Sequence, residues 1–243
     1  MKGILCDIGG VLYEGNKVID GAIETIDYLK SRYKIRFLSN SSRNTPEKIY
    51  EKLKNFGFNI ERKEIFTALY AVKKYLIKHG KKAFIIATDE AEEYLKELKG
   101  EGSVVIADAY KNFSYDNLNI AFRKIMDGAE FLATNKNRYF KDNGGLSLDA
   151  GAFVNALEYS SEIEAKILGK PSCEFFNEAI DDMELNKNEV IMIGDDIESD
   201  ITGAKKCGIK TVLVKTGKFK KADLKKAKPD FLIESIKEIV SIL

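Results

Sequence analysis

Four short polar segments, each directly after an apolar run, hold the residues of this 243-residue chain that could do chemistry. Together they supply an aspartate, a hydroxyl, a lysine and a cluster of acids. An aspartate carboxylate can attack phosphorus, and Mg²⁺ binds carboxylates together with phosphate oxygens. The set therefore predicts transfer of a phosphoryl group to a carboxylate beside a divalent cation. The segments are Cys6-Asp7-Ile8-Gly9-Gly10-Val11-Leu12, Phe37-Leu38-Ser39-Asn40-Ser41-Ser42, Gly169-Lys170-Pro171-Ser172 and Ile193-Gly194-Asp195-Asp196-Ile197-Glu198-Ser199-Asp200.

The first and last segments supply the acids. Asp7 ends an apolar strand beside glycines that let a ligand approach the backbone, and we interpret it as the nucleophile. Asp195, Asp196 and Asp200 crowd together, and their charges repel one another unless a cation lies between them. Capping of the next helix by Asp196 or Ser199 is the alternative, and it is compatible with metal binding.

The two middle segments supply a cation and phosphate ligands. Lys170 lies between a glycine and a predicted helix start, where its ammonium can bridge the attacking carboxylate and the phosphoryl group. Ser39 ends the second predicted strand, and its hydroxyl and the N–H groups of Asn40 and Ser41 can hold phosphate oxygens. Singly, a lysine or a polar loop is usually solvated surface, so the prediction depends on the order of all four segments.

Composition limits the possible partners. The net charge of +1 gives no basis for binding nucleic acid, and no apolar run approaches the roughly 20 residues of a spanning helix, so we expect no membrane partner. The first residues read as a strand and not as a signal peptide. Cys6, Cys173 and Cys207 lack metal-ligand spacing and are interpreted as reduced core thiols of a cytoplasmic protein. His79, the only histidine, is predicted at a helix end on the surface.

Alternating strands and helices frame the four segments. At both ends of the chain this alternation predicts an α/β fold with a doubly wound parallel sheet, whose strand ends face a ligand crevice. The middle reads as a smaller inserted α/β unit. We expect a catalytic core at residues 1–66 and 165–243 and an inserted cap at residues 67–164. A helix is predicted over 65–78 and another over 235–243, whereas 135–148 has no clear pattern.

In this order and strand context, the four segments resemble the motifs of the haloacid dehalogenase superfamily over essentially the whole chain. The inserted unit is similar to the type-two cap of subfamily IIA. Several phrases, such as Ala133-Thr134-Asn135 and Lys215-Thr216-Gly217-Lys218-Phe219, are similar to the branch that holds phospholysine phosphohistidine inorganic pyrophosphate phosphatase. The resemblance implies a Mg²⁺-dependent phosphatase with a Rossmann-like core, a small phosphorylated substrate and a possible homodimer formed through the cap.

The resemblance also implies a role for each matching residue. It makes Asp7 the nucleophile, Ser39 the phosphate-binding hydroxyl and Lys170 the charge clamp. Asn135 and Asp149 are similar to cap residues that face the substrate. The implied Mg²⁺ ligands are Asp7, the backbone carbonyl of Gly9 and Asp195, with Asp196 or Asp200 outside them.

Gly9 departs from the superfamily pattern, which has an aspartate two residues after the nucleophile as general acid and base. Loss of a general acid typically costs about 10²–10⁴-fold in rate, and the cost is largest where the leaving group needs a proton. We therefore expect good leaving groups to be preferred: aryl phosphates, pyrophosphate or phosphoramidates. The alternative is a catalytically weak or inactive protein that binds a phosphorylated ligand or partner. A phospho-accepting signalling domain is a third possibility, but it does not explain Asp195 and Asp196 or the insertion.

Overall fold

The computed structural model describes residues 1–142 and 145–243, which form two compact units. The first comprises Met1–Ser39, Pro46–Phe66 and Lys170–Leu243, and the second comprises Asn40–Thr45 and Thr67–Gly169. These limits differ from the expected boundaries at two places, since the second unit takes in residues 40–45 and continues to Gly169.

The strands and helices alternate along most of the chain. The strands are β1 Gly3–Asp7, β2 Tyr13–Glu14, β3 Lys17–Val18, β4 Lys34–Ser39, β5 Ile65–Thr67, β6 Lys82–Ile86, β7 Gly102–Ile106, β8 Glu130–Ala133, β9 Tyr139–Asp142, β10 Gly145–Leu148, β11 Lys166–Ile167, β12 Val190–Gly194, β13 Lys210–Val214 and β14 Phe231–Ile233. The α-helices are α1 Ala22–Lys30, α2 Pro46–Asn55, α3 Ala68–Lys78, α4 Asp89–Tyr94, α5 Tyr115–Met126, α6 Ala150–Ser161, α7 Cys173–Asp181 and α8 Gly203–Lys206.

A six-stranded sheet in the order β14-β13-β12-β1-β4-β5 organises the first unit. Strand β1 pairs in parallel with both β4 and β12, and β13 pairs in parallel with β12 and β14. All five residues of β1 are buried, as is typical of a central strand covered on both faces. The predicted α/β fold with a parallel sheet is confirmed.

Apolar side chains from the strands and from α1 and α2 form the core around this sheet. Ile4 and Phe37 contribute from β1 and β4, and Ile26, Leu29 and Leu53 contribute from the two helices. All five side chains are fully buried. Burial of each large apolar side chain stabilises the fold by about 1.5–3 kcal/mol, so the core fixes the sheet that carries the predicted site.

The second unit has its own sheet, with four strands in the order β11-β8-β7-β6. The described pairings of this sheet are parallel. Lys166 and Ile167 belong to it because they pair with Leu132 and Ala133 of β8, although the sequence placed residues 165–168 in the core. In the region without a clear pattern, β9 and β10 pair as an antiparallel hairpin.

The predicted helix over residues 65–78 is wrong at its start. Ile65–Thr67 is a short buried strand at the edge of the six-stranded sheet, and α3 begins only at Ala68. Thr67 ends the strand and caps the helix, because its side chain accepts a hydrogen bond from the N–H of Tyr70 at 3.0 Å. Near the C-terminus, 3₁₀ geometry over Ile236–Ser241 replaces the predicted α-helix.

The prediction of three reduced thiols is also wrong. Cys173 and Cys207 form a disulfide, and Cys6 is free and buried. The two bonded residues are 34 positions apart in sequence, but the first residue of α7 lies beside the end of α8, with the two Cα atoms 5.3 Å apart. This distance lies within the normal range for a disulfide.

Within the described residues, no helix combines the length and the apolar character needed to cross a membrane.

Candidate active site

The carboxyl ends of the neighbouring strands β4, β1 and β12 bring Ser39, Asp7 and Asp195 to one edge of the sheet. In the parallel register Cys6 lies opposite Ile193 and Asp7 lies opposite Leu38. Asp195 follows the end of β12, and Ser39 is the last residue of β4. The observed strand order therefore places these residues at one edge of the sheet, as the sequence predicts.

Lys170 is buried between two carboxylates of the first unit. Its Nζ donates to Oδ1 of Asp200 at 2.7 Å and also donates to Oδ1 of Asp7. Only 3% of Lys170 is exposed, compared with 7% of Asp7 and 1% of Asp200. Buried hydrogen-bonded ion pairs have closely defined geometry, and removing one partner leaves an uncompensated charge. Lys170 thus ties the strand of Asp7 to the turn of Asp200.

A π-helical turn over Ile197–Thr202 returns Asp200 to the end of β12. Gly194 makes this approach possible, since a Cβ atom there would lie 2.4 Å from both the Cβ and the Oδ2 of Asp200. Asp196 begins the turn: its Oδ1 accepts hydrogen bonds from the N–H groups of Glu198 at 2.9 Å and Ser199 at 3.0 Å. The capping role considered for Asp196 is therefore observed.

The three buried carboxylates of Asp7, Asp195 and Asp200 are balanced by only one buried ammonium among the described residues, that of Lys170. Burial, with the charges of Asp7 and Asp200, raises the pKa of Asp195 to about 8. Burial also raises the pKa of Asp200 to about 6, although the Lys170 charge opposes this. Burial alone would lower the pKa of Lys170, but the charges of Asp200 and Asp7 outweigh it and hold the pKa above its usual value.

Three of the acids lie close enough together to hold a cation. One carboxylate oxygen from each of Asp7, Asp195 and Asp200 lies within 4.8 Å of the others. Closely spaced carboxylates fit a hard cation such as Mg²⁺, which would offset the mutual repulsion that helps to raise the pKa values of Asp195 and Asp200. Asp196 is outside this set. Its Oδ2 lies 3.1 Å from the ammonium of Lys218, and the resulting positive field lowers the pKa that burial would otherwise raise.

Gly9 lies in the turn after β1 and is exposed. Gly10, the next residue, has a φ of 82° and donates its N–H to the carbonyl of Tyr13 at 2.8 Å. An added Cβ at Gly9 would meet no atom within 4 Å. Position 9 can therefore accept a side chain without steric conflict.

A segment that the sequence did not assign to the site also contacts this turn. We call residues 215–219, which follow β13, the glycine strap. Thr216 donates its hydroxyl to the carbonyl of Gly10 at 2.5 Å, and the N–H of Gly217 donates to the Glu14 side chain. The strap was noted in the sequence only as a family phrase. The signal available there was Gly217, a glycine between two polar residues directly after a strand.

The second unit contains the residues just after Ser39. Asn40 and Ser41 begin its segment 40–45, and the Asn40 side-chain oxygen would lie 2.9 Å from a Cβ built on Gly169. Arg43 anchors the segment, because its Nε donates to Oδ2 of Asp108 at 2.5 Å.

Ser42 adds a second anchor to the same residue. Its Oγ accepts the Asp108 N–H at 3.0 Å, and Ser42 is 3% exposed. Ser42 ends the second polar segment, but sequence reasoning did not single out Arg43 or Asp108, because a contact between residues 65 positions apart leaves no local pattern.

Asn135 and Asp149, the two expected substrate-facing cap residues, are buried in the second unit. Oδ1 of Asn135 accepts the N–H of Asn137 at 2.9 Å. Asp149 caps α6 by accepting the N–H of Ala150 at 2.7 Å, and burial raises its pKa. Their role toward a substrate stays a prediction.

Two family models match this chain. A haloacid dehalogenase-like hydrolase model matches residues 4–101, and a HAD-hydrolase-like model matches residues 167–239. Together they cover the β1, β4, β11 and β12 regions and thus all four polar segments.

Curated and solved relatives extend along the whole chain. Human phospholysine phosphohistidine inorganic pyrophosphate phosphatase is 35% identical, and the alignment covers 100% of this chain and 94% of that protein. Mouse haloacid dehalogenase-like hydrolase domain-containing protein 2 is 37% identical over 94% of this chain and 90% of its own. The p-nitrophenyl phosphatase from Archaeoglobus fulgidus superposes with a TM-score of 0.93 and 28% identity, covering 100% and 99% of the two chains.

Proposed function

From the premise that this chain belongs to the haloacid dehalogenase-like hydrolases and is a phosphatase, we propose that it hydrolyses small phosphorylated substrates through a phosphoryl group carried on Asp7, with Mg²⁺ as cofactor. The observation that carries the proposal is the buried arrangement in which Lys170 joins Asp7 to Asp200 beside Asp195. This arrangement places a carboxylate for attack, an ammonium and two further carboxylates next to one another, where a phosphoryl group and a cation would bind.

Asp7 would act as the nucleophile. Its Oδ1 accepts from Lys170, whereas its Oδ2 accepts no hydrogen bond from the described residues and is the oxygen available for attack. Attack forms a bond between this oxygen and phosphorus while the bond to the leaving group breaks, and the leaving oxygen or nitrogen takes the electron pair. Water then attacks the same phosphorus, releases inorganic phosphate and restores the carboxylate.

Lys170 would hold the nucleophile and offset charge on the phosphoryl oxygens, in the way that preorganised cations stabilise developing charge. Asp7, Asp195 and Asp200 would hold Mg²⁺, with the carbonyl of Gly9 as a further proposed ligand and Asp196 outside the ion. When bound, the ion supplies positive charge that lets an anionic carboxylate approach an anionic phosphate. Ser39, with the backbone of Asn40 and Ser41, is proposed to bind phosphate oxygens.

Gly9 supports a preference for substrates whose leaving group needs little protonation. Two of the relatives named above act, by their names, on phospholysine, phosphohistidine and pyrophosphate or on p-nitrophenyl phosphate. For this chain we propose the shared chemistry of these names, which is a phosphoryl group on a good leaving group. Alkyl phosphates are expected to be poorer substrates.

The proposal is tested by phosphate release from p-nitrophenyl phosphate, with Mg²⁺ and with chelator, in the native protein and in Asp7→Asn. We expect activity that requires both Mg²⁺ and Asp7, with a loss of at least about 10²-fold in either absence. Asp116→Asn, which removes an exposed carboxylate of α5, is the matched control and should retain native activity.

Two results would contradict the proposal. Equal activity of Asp7→Asn and the native protein would remove Asp7 from the reaction. A folded native protein without activity toward p-nitrophenyl phosphate, pyrophosphate and a phosphoramidate would favour the alternative, a protein that binds a phosphorylated ligand without turnover.

A further inference from the structure

The glycine strap contacts both halves of the candidate site within the first unit. Thr216 binds the turn after the nucleophile by donating to the carbonyl of Gly10. Two residues later, the N–H of Lys218 donates to Oδ2 of Asp195 at 2.7 Å. One short segment therefore fixes the turn that follows Asp7 and the orientation of a proposed cation ligand.

The fit around Asp195 leaves no room for a side chain beside its Oδ2. A Cβ built on Gly10 or on Gly217 would lie 2.0 Å from this oxygen, and the Cβ of Gly217 would also lie 2.6 Å from the Cα of Gly10. Both glycines have positive φ, 82° and 68°. The carboxylate is thus enclosed between two bare backbones, and only glycine meets the conformational and the steric requirement at each.

The orientation of Asp195 matters because this residue contributes one carboxylate oxygen to the cluster with Asp7 and Asp200. Oδ1 accepts no hydrogen bond from the described residues, whereas Oδ2 is held by the strap. Partners that orient a metal ligand typically change metal affinity by 10–100-fold when they are removed. Because the Lys218 N–H already fixes Oδ2, the Asp195 carboxylate would lose little further rotational freedom when Oδ1 binds a cation.

The backbone of the strap carries this effect. The Lys218 side chain reaches Asp196, but 69% of that side chain is exposed, and exposed ion pairs contribute little. We propose that Thr216 and Gly217 are positioning residues: the glycine strap holds Asp195 in the orientation that binds the cation and keeps it in register with the nucleophile turn. This inference rests on the proposed Mg²⁺ centre.

Calorimetric titration of Mg²⁺ into the metal-free protein tests the inference without reference to activity. We expect Thr216→Val to weaken Mg²⁺ binding by about 10–100-fold, since the variant keeps the side-chain shape but loses the bond to Gly10. Thr25→Val is the matched control, because Thr25 makes the same hydroxyl-to-carbonyl bond, at 2.6 Å to Gly21, inside α1. That variant should bind Mg²⁺ with native affinity.

Gly217→Ala provides a second, independent variant. Gly80→Ala is its control, since Gly80 has a similar φ of 62° but no atom within 4 Å of an added Cβ. We expect weakened Mg²⁺ binding in Gly217→Ala and native binding in Gly80→Ala. The phosphatase rate, measured against Mg²⁺ concentration, should be lowered in Thr216→Val and Gly217→Ala and native in the two controls. The rate of Thr216→Val should recover at high Mg²⁺ concentration.

Native Mg²⁺ affinity in a folded Thr216→Val protein would overturn the strap proposal and leave the proposed function standing. Absence of Mg²⁺ binding in the native protein would overturn both. Mg²⁺ binding that is present in the native protein and lost in Asp195→Asn would establish the Mg²⁺ site that the strap variants are designed to test.

Discussion

At the scale of single residues, Gly9 is the position where this chain departs most from its family pattern. The structure places no atom within 4 Å of a Cβ at this position, and its φ lies outside the left-handed region. Neither crowding nor backbone strain therefore requires a glycine here. The absent acid is a chemical difference, which makes it open to a direct test.

Gly9→Asp should raise turnover of alkyl phosphates more than turnover of aryl phosphates. The reason is that an alkoxide leaving group needs a proton, whereas a nitrophenolate leaves without one, and a general acid contributes about 10²–10⁴-fold. The measurement is kcat for glycerol phosphate and p-nitrophenyl phosphate in the same preparation. Gly9→Asn is the matched control, since it has nearly the same shape and no proton to donate; equal gains for both substrates would refute the idea.

The charge of Asp195 predicts a pH dependence of stability in the metal-free protein. Its pKa in the folded protein is about 8, well above the value of about 4 for an unfolded chain. Between these values the folded state binds more protons than the unfolded state, so stability falls as the pH rises from about 4 through 8. We expect Asp195→Asn, which cannot ionise, to gain stability relative to the native protein over this range.

Thermal unfolding in chelator at pH 5 and pH 8 measures this effect. The midpoint of Asp195→Asn minus that of the native protein should be larger at pH 8. Asp116→Asn serves again as the exposed control. A difference that does not change with pH would show that Asp195 is not held protonated by its surroundings.

The sequence identified the order of the four segments, but not every orientation within them. Strand ends in a parallel sheet predict that Asp7, Ser39 and Asp195 share an edge, and the observed register has this property. Asp196 was open to two interpretations because one carboxylate at a helix start serves equally well as a cap or a ligand. Its contacts with Glu198 and Ser199 depend on the π-helical turn, which no local pattern predicted.

At the scale of elements, the disulfide joins two helices that each follow a site segment. Cys173 begins α7 three residues after Lys170, and Cys207 directly follows α8, seven residues after Asp200. The two segments also pack directly, since a Cβ on Gly203 would lie 2.7 Å from the Cβ of Pro171. Because Cys173 and Cys207 are bonded, they are not the reduced thiols from which a cytoplasmic location was expected.

Reduction of this disulfide should lower the free energy of unfolding by about 3–4 kcal/mol, as expected when a loop of this length loses its cross-link in the unfolded chain. Chemical denaturation with and without a thiol reductant measures the difference. The double variant Cys173→Ser/Cys207→Ser is the control and should not respond to reductant, because Cys6 is free in both proteins. Equal stability of the native protein in both conditions would count against the bond.

Element types were predicted best where periodicity was long and worst where an element was short. The apolar spacing that predicted α3 continued backward through Ile65 and Phe66, although these belong to the three-residue strand β5. A strand this short has too few residues for an alternating pattern. The hairpin of β9 and β10 was missed because its apolar residues, such as Leu146 and Leu148, are exposed and have no core to match.

At the scale of the whole molecule, the alternation of elements predicts an inserted unit at residues 67–164. The two compact units of the structure have other limits. Segment 40–45 belongs to the second unit although it follows β4 directly, and the contacts of Arg43 and Ser42 with Asp108 explain this assignment. Such pairing depends on the folded chain, so local sequence could not reveal it.

The sheet order β14-β13-β12-β1-β4-β5 also affects when the site can exist during synthesis. Strand β1 lies between β4 and β12, so Asp7, which is made early, meets Asp195 and Asp200, which are made almost last. About 190 residues separate Asp7 from Asp195, which at 5–20 residues per second corresponds to roughly 10–40 s of translation. A ribosome-bound chain that ends before Val190 lacks both Asp195 and Asp200, and a prematurely terminated product would lack two of the three acids of the proposed metal centre.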